Sequence, residues 1–133
     1  MDPISDMLNR IKTSQRAGRR EIVVSFSKVK MAILGILEKE GFIGSVRREK
    51  EGNFENIKAT LKYSDSDEIR KIPAIQEIRR VSKAGQRIYV KKGAIKPVKN
   101  NFGISIVSTS KGIMTGKEAK VSGLGGEVIC EVW

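Results

Sequence analysis

The sequence contains no histidine and a single cysteine, Cys130. These gaps exclude several kinds of site, because Ser-His-Asp catalysis, Cys-His catalysis and typical zinc sites all need side chains that the chain lacks. One cysteine cannot form an intramolecular disulfide, which fits a reducing compartment. An enzyme would have to work with carboxylates and lysines alone. We therefore expect a protein that is not an enzyme and that holds no metal or other cofactor.

Long apolar runs are also missing. No window reaches the roughly 18 consecutive apolar residues that a membrane-spanning helix needs. The first residues lack the apolar core of a secretory signal. We therefore expect a cytoplasmic protein that does not enter a membrane.

Acidic residues are scarce relative to basic ones, with 15 Asp and Glu against 26 Lys and Arg, for a formal charge of +11 over 133 residues. Residues 1–64 carry 13 basic and 8 acidic side chains, and residues 65–133 carry 13 and 7. Because both halves share the excess, the charge does not belong to a detachable tail. Such an excess favours a polyanionic partner, either nucleic acid or an anionic membrane surface.

The pattern of apolar residues predicts an α+β fold with two small lobes. Helical and alternating periodicities predict an N-terminal α-β-α-β-β lobe over residues 1–64. Its predicted elements are a helix that ends at Gly18, a strand over Glu21–Phe26, a helix over Lys28–Glu40, and hairpin arms over Phe42–Glu49 and Phe54–Tyr63. The polar run Ser64–Glu68 is predicted as a linker.

The second predicted lobe, residues 65–133, is mostly β with short helices. Its predicted strands include Arg87–Val90, Ile104–Val107 and Glu127–Trp133. Thr115 stands three residues before Glu118, a capping-box spacing that predicts the start of a short helix.

A hydroxyl-rich stretch follows the predicted strand Ile104–Val107. It consists of Ser108, Thr109, Ser110, Lys111 and Gly112. Hydroxyl groups both donate and accept hydrogen bonds, and glycine lets the backbone approach a ligand closely. We interpret the stretch as a binding loop between a strand and a capped helix. The alternative is a turn whose hydroxyls only satisfy local backbone groups.

Four separated blocks of the sequence resemble the family of the eighth protein of the bacterial small ribosomal subunit. They are DPISDMLNRIKTSQRA, FSKVKMAILGILEKEGFI, IRRVSKAGQRIYV and STSKGIMTGKEAKVSGLGGEVICEVW. The blocks occur in order, without a large insertion, and the resemblance covers nearly the whole chain.

This resemblance implies a structural constituent of the small ribosomal subunit with a two-lobed fold. Members of that family bind a helical junction in the central domain of small-subunit ribosomal RNA early in assembly. They commonly bind a similar structure in their own messenger RNA and repress its translation. The implied partners are therefore ribosomal RNA, neighbouring small-subunit ribosomal proteins and the messenger, with no membrane and no small-molecule substrate.

The hydroxyl-rich stretch suits that kind of target. Duplex RNA presents a wide, shallow minor groove lined with 2′-hydroxyls. Ser108, Thr109 and Ser110 can reach those groups without steric bulk. Lys111 can pair with a phosphate, and Gly112 allows close approach.

Further candidates lie nearby. Gly125 and Gly126 would bring backbone into the groove, unless they form a plain turn, and Glu127 would accept from a base amino group. Tyr89 would stack on a base, unless it is a half-buried core residue. The cations predicted to contact phosphates, each of which fits a solvated surface equally well, are Lys83, Arg87, Lys91, Lys92, Lys28 and Lys30, with Arg10 and Arg16 as weaker candidates.

Three other functions fit the sequence less well. A phosphate-transferring enzyme that uses Gly123–Gly126 as a cradle would lack the Walker spacing and its Lys-Ser/Thr. A DNA-binding protein built on the first two helices would have a strand where a helix-turn-helix has a short turn. A peripheral membrane protein would need a free apolar helix face, whereas the stripe of the first helix is predicted to pack in the core.

Overall fold

The computed structural model describes residues 2–65, 71–99 and 102–133. These residues form an α+β fold that divides into two compact units, one of residues 3–75 and one of residues 76–133 together with Asp2. The predicted α+β class with two lobes is therefore confirmed. The predicted domain boundary after residue 64 stays a prediction. Of the predicted linker, Ser64 and Asp65 lie in a strand, and residues 66–68 fall outside the described residues.

The described residues of the first unit, 3–65 and 71–75, form two helices and five strands. In chain order they are α1 Pro3–Arg16, β1 Glu21–Ser25, α2 Lys28–Lys39, β2 Ile43–Glu51, β3 Phe54–Leu61, β4 Tyr63–Asp65 and β5 Lys71–Pro73. The first five elements have the predicted α-β-α-β-β order. Strands β4 and β5 form a small antiparallel pair that was not predicted, because the polar run of residues 64–68 shows no apolar alternation.

The larger sheet of this unit is antiparallel, with the strand order β1-β3-β2. Alternation along β3 places Ile57 and Ala59 on the buried face, where neither is exposed to solvent. The apolar stripes of the two helices supply the rest of the core, with Ile11 from α1 and Leu37 from α2 among the fully buried side chains. One face of the sheet is thus buried and the other is wet, as expected for an antiparallel sheet covered on one side.

The second unit is built around its last strand. Its elements are β6 Ile78–Arg80, β7 Tyr89–Val90, β8 Ile104–Thr109, β9 Gly112–Thr115, α3 Gly116–Val121 and β10 Gly126–Val132. Strand β10 pairs with β8, which pairs with β9, and different parts of β10 also pair with β6 and β7. The core cluster consists of Ile95, Val107, Ala119 and Val128.

The hydroxyl-rich stretch differs from its prediction. It forms a tight β-hairpin and not a loop between a strand and a helix: Ser108 and Thr109 end β8, and Thr109 pairs with Gly112 at the start of β9. The two residues between them form the turn, and Gly112 has a φ of 114°, which a glycine adopts easily. Strand β9 was missed because four residues are too few to show an alternation.

The capped helix is confirmed as α3. The Thr115 side chain accepts a hydrogen bond from the Glu118 backbone N–H at 3.1 Å, and its hydroxyl donates to Glu118 Oε1 at 3.1 Å. Within the described residues, no helix is long and apolar enough to cross a membrane.

Candidate nucleic-acid interface

A row of three side chains crosses three strands of the second unit. Tyr89 on β7 is directly opposite Glu127 on β10, and Glu127 is directly opposite Ser108 on β8. Opposed residues on antiparallel neighbours share a face, with Cβ atoms about 4.5–5.5 Å apart. A phenol, a carboxylate and a hydroxyl therefore stand side by side. We call these three residues the cross-strand row.

The cross-strand row lies on the sheet face opposite the core cluster. Val107 precedes Ser108, Val128 follows Glu127, and both valines are buried in that cluster. Because side chains alternate along a strand, the row points to the other face. Tyr89 is 70% exposed, so the alternative of a half-buried core tyrosine is wrong. Ile113 on β9 is directly opposite Ser108 and adds a half-buried apolar side chain beside the row.

Arg87 and Glu127, two separately predicted contacts, form an ion pair. Arg87 Nη1 donates to Glu127 Oε2 at 3.2 Å. The arginine side chain is 49% exposed and the carboxylate side chain 22% exposed. A partly exposed pair of this kind adds little to stability, at most about 1 kcal/mol. Its main effect is on geometry, because the guanidinium fixes the direction of a carboxylate in the middle of the row.

Thr109 is used within the hairpin itself. Its Oγ1 donates to the Gly112 carbonyl at 2.7 Å and accepts from the Lys111 backbone N–H at 3.1 Å. Thr109 therefore fits the alternative interpretation, in which a hydroxyl of the turn satisfies only local backbone groups. Ser110 and Lys111 are exposed at the apex of the turn. The two hydrogen bonds of Thr109 hold the turn in the conformation in which these side chains face solvent.

The packing of the strands explains why glycine occupies both positions before Glu127. A Cβ on Gly126 would lie 2.1 Å from the Ser108 carbonyl oxygen, and a Cβ on Gly125 would lie 2.4 Å from the Val90 carbonyl oxygen. Real Cβ atoms do not come that close to backbone oxygen. These glycines therefore let β7, β8 and β10 approach one another where the cross-strand row lies.

A buried serine holds the hairpin that carries Tyr89. Ser82 is fully buried, and its Oγ accepts from the Ile88 N–H at 2.9 Å and donates to the Ile88 carbonyl oxygen at 3.3 Å. Lys83 and Gln86 close the end of this hairpin through two backbone hydrogen bonds of 2.9 and 3.0 Å. Ser82 was not among the predicted site residues, because its neighbours Val81 and Lys83 give no sign that its side chain is buried.

The other candidate cations are distributed over both units. In the second unit, Lys83, Lys91 and Lys92 are exposed, and the stem of Lys92 runs past Gly123. In the first unit, Lys28 and Lys30 lie in the first turn of α2, where the Ser27 side chain accepts from the Lys30 N–H. Lys30 Nζ donates to Ser25 Oγ at 2.9 Å, and Arg10 donates to the Val23 carbonyl at 2.8 Å. Arg16 is exposed at the end of α1.

Two further observations concern metal ligands and the single thiol. Among the described residues, no group of three or more His, Cys, Asp or Glu side chains could hold a metal ion. Cys130 is fully buried in β10, and burial raises the pKa of its thiol to about 12. The thiol therefore stays protonated at neutral pH and is a poor nucleophile.

Comparison with known proteins identifies the family of this chain. The chain matches the family model described as ribosomal protein S8 over residues 2–133. It is 46% identical over 132 residues to the small ribosomal subunit protein uS8 of Leptospira biflexa, covering 99% of this chain and 97% of the relative. The uS8 protein of Caldanaerobacter subterraneus is 46% identical with the same coverage, and that of Coxiella burnetii is 43% identical over 98% of this chain and 97% of the relative. This chain therefore belongs to the ribosomal protein S8 family, which is a family of structural constituents of the small ribosomal subunit and not of enzymes.

Proposed function

We propose that this protein binds the central domain of small-subunit ribosomal RNA directly and helps to assemble it in the cytoplasm. The single observation that supports this most is the cross-strand row of Tyr89, Glu127 and Ser108, on the sheet face opposite the cluster of Ile95, Val107, Ala119 and Val128. An exposed aromatic ring beside a carboxylate and a hydroxyl is a surface for nucleotides, since a base can stack while its edge and sugar make hydrogen bonds.

Each side chain of the row takes one part of such a target. Tyr89 stacks on an unpaired base, a contact worth about 1–3 kcal/mol. Glu127 accepts from a base amino group, and Ser108 with Ser110 reaches 2′-hydroxyls in the shallow groove. The matching RNA displays an unpaired base next to a duplex, as a helical junction does.

The exposed cations add affinity without selecting a sequence. Lys111, Lys83, Lys91 and Lys92 pair with phosphates in the second unit, and the exposed Lys28 does so in the first. Arg87 shares its guanidinium between Glu127 and a phosphate. Phosphate pairing positions the RNA and carries most of the salt sensitivity, while the row provides selectivity.

The same surface also binds the protein's own messenger RNA. A messenger segment that folds into a similar junction would offer the same unpaired base and groove, and its capture would repress translation. Ribosomal RNA and messenger would then compete for the cross-strand row. A footprint that protects the same junction in both RNAs supports this part of the proposal, and a messenger that binds alongside ribosomal RNA contradicts it.

The test compares two serine variants in filter-binding titrations with a central-domain RNA fragment. Ser110→Ala should weaken binding by about 1 kcal/mol, or roughly fivefold, through the loss of one hydrogen bond. Ser122→Ala, an exposed change at the end of α3, should leave affinity unchanged. Wild-type affinity for Ser110→Ala would count against the role of the turn. Equal affinity for the fragment, an arbitrary RNA hairpin and duplex DNA would contradict selective RNA binding.

A further inference from the structure

Strand β1 in the first unit has an open edge. Among the residues that the structure describes, β1 pairs with β3 alone, and the ladder is extended by the bonds Leu61 N–H to Arg20 O and Phe26 N–H to Glu55 O. In an antiparallel ladder, alternate residues bond to the partner strand. The residues between them, Glu21, Val23 and Ser25, therefore direct their backbone N–H and C=O groups away from β3.

A cleft runs along this edge. It has a volume of about 780 Å³ and lies between α1 and β1. Its lining includes Asn9, Arg10 and Thr13 from the helix and Glu21 and Val23 from the strand. Val23 is 46% exposed, although it is a β-branched apolar residue in the middle of a strand.

Two cations bind outward carbonyls of the edge, those of Val23 and Ser25. Arg10 Nη1 donates to the Val23 carbonyl at 2.8 Å, and Lys30 Nζ donates to the Ser25 carbonyl at 3.3 Å. Charged side chains placed this way discourage indiscriminate strand pairing. The same two cations also favour an incoming strand that carries carboxylates. Such a strand can displace Arg10 and Lys30 from the carbonyls and pair with them.

We propose that the β1 edge docks an extended acidic segment of another polypeptide, which adds to the sheet as a fourth strand. Its main chain bonds to the outward groups of Val23, an apolar side chain of the segment packs on Val23, and its carboxylates pair with Arg10 and Lys30. In this binding mode the main-chain bonds give affinity and the side chains give specificity.

The edge fits a polypeptide better than RNA or a second copy of this chain. An RNA backbone offers no N–H to the outward carbonyls, and because it carries a phosphate at every nucleotide some of these charges would lie beside the carboxylates of Asp6 and Glu21 in the cleft. A peptide can keep its charges opposite Arg10 and Lys30 alone. A second copy would bring a further +11 of charge to an edge that is already covered by cations.

The probe is a labelled peptide of alternating Glu and Val, seven residues long, added to the full-length protein and followed by fluorescence anisotropy. Two N-methylated forms, each blocking the N–H groups on one edge of the peptide, separate strand addition from charge attraction. We expect one form to bind about tenfold more weakly and the other to bind normally, because only one edge of the peptide faces β1. Equal binding by both forms would overturn the proposal.

Amide hydrogen exchange gives a second measurement. The Val23 amide should exchange quickly in the free protein and slowly with the peptide, while Ile22 and Val24 are protected in both states by their bonds to β3. Lys30→Met should weaken the peptide about fivefold, and Lys39→Met, at the exposed end of α2, should not. An unchanged Val23 amide with saturating peptide, or protection of that amide by the central-domain RNA fragment, would overturn strand addition by a polypeptide.

Discussion

At the scale of single residues, the tightest constraint on the candidate interface is the absence of a side chain at Gly126. A Cβ there would meet the Ser108 carbonyl oxygen at 2.1 Å and its carbon at 2.9 Å. Gly126→Ala must therefore push β10 away from β8. We expect a loss of about 1–3 kcal/mol in the free energy of unfolding, as for other overpacked sites, and weaker RNA binding because the cross-strand row is displaced.

Urea denaturation of Gly126→Ala and Gly85→Ala tests this constraint. Gly85 lies in the turn between Lys83 and Gln86, and a Cβ there would meet no atom within 4 Å. Its replacement should change the free energy of unfolding by no more than about 0.5 kcal/mol. If Gly126→Ala were as stable as the control, the claim that β8 and β10 leave no room for a Cβ at this position would be wrong.

Because burial raises the pKa of the Cys130 thiol, we expect the free energy of unfolding to depend on pH. The pKa rises from an ordinary value of 9.0 to about 12. The folded state therefore keeps a proton that the unfolded state releases above about pH 9. This contribution to stability is complete below pH 9 and is lost as the pH rises towards 12, with a slope of up to about 1.4 kcal/mol per pH unit.

Urea midpoints at pH 8 and pH 10.5 measure this effect when the wild type is compared with Cys130→Ala. The variant removes the thiol, so the loss of stability between the two pH values should be larger in the wild type. The native thiol should also resist a disulfide reagent at pH 8 and react once urea unfolds the chain. Rapid reaction of the native protein would contradict a buried thiol.

At the scale of the element, the hairpin that carries Tyr89 depends on one buried hydroxyl. Ser82→Ala would leave the Ile88 N–H without its 2.9 Å partner in a partly buried setting. We expect a loss of about 1–3 kcal/mol in the free energy of unfolding and faster exchange of the Ile88 amide. RNA affinity should fall as well, since β7 would hold Tyr89 less firmly.

Ser122→Ala again serves as the control for this element, because that side chain is exposed. Its amide exchange and its RNA affinity should match the wild type. A Ser82→Ala protein with normal exchange at Ile88 would show that the backbone pairing of β7 with β10 holds the hairpin without the serine.

The elements themselves were largely predictable from local patterns. Apolar residues repeating at the helical period of 3.6 predicted α1 and α2, and alternation of apolar and polar residues predicted β3. The capping-box spacing of Thr115 and Glu118 predicted α3. What local patterns missed was the hairpin of β8 and β9, because Gly112 to Thr115 is too short to alternate. The polar strand β4 was missed because it has no apolar face to reveal it.

The candidate site was predictable as a set of residues and not as an arrangement. Arg87 and Glu127 are 40 positions apart in the sequence, so no local spacing indicates that they form a pair. The reason for Gly126 is likewise a contact with Ser108, on a different strand. Pairings of this kind depend on the register between strands, which only the folded chain defines.

At the scale of the whole molecule, the charge of +11 divides into cations that the fold uses and cations that it leaves exposed. Arg10, Lys30 and Arg87 bind backbone or side-chain oxygens within the protein. Lys111 stands exposed at the apex of the hairpin. Removing a cation of the second kind should therefore affect RNA binding with little effect on the fold.

Lys111→Gln should weaken central-domain and unrelated RNAs by the same factor, because a phosphate contact carries no sequence information. Each phosphate contact adds close to one unit to the slope of log affinity against log salt, so the slope should fall by roughly one unit. Filter-binding titrations over a range of salt concentrations measure both quantities, with Lys39→Gln as a surface control of equal charge change. A loss confined to the central-domain fragment, with the salt slope unchanged, would mean that Lys111 reads a base and that selectivity extends from the cross-strand row to the apex of the hairpin.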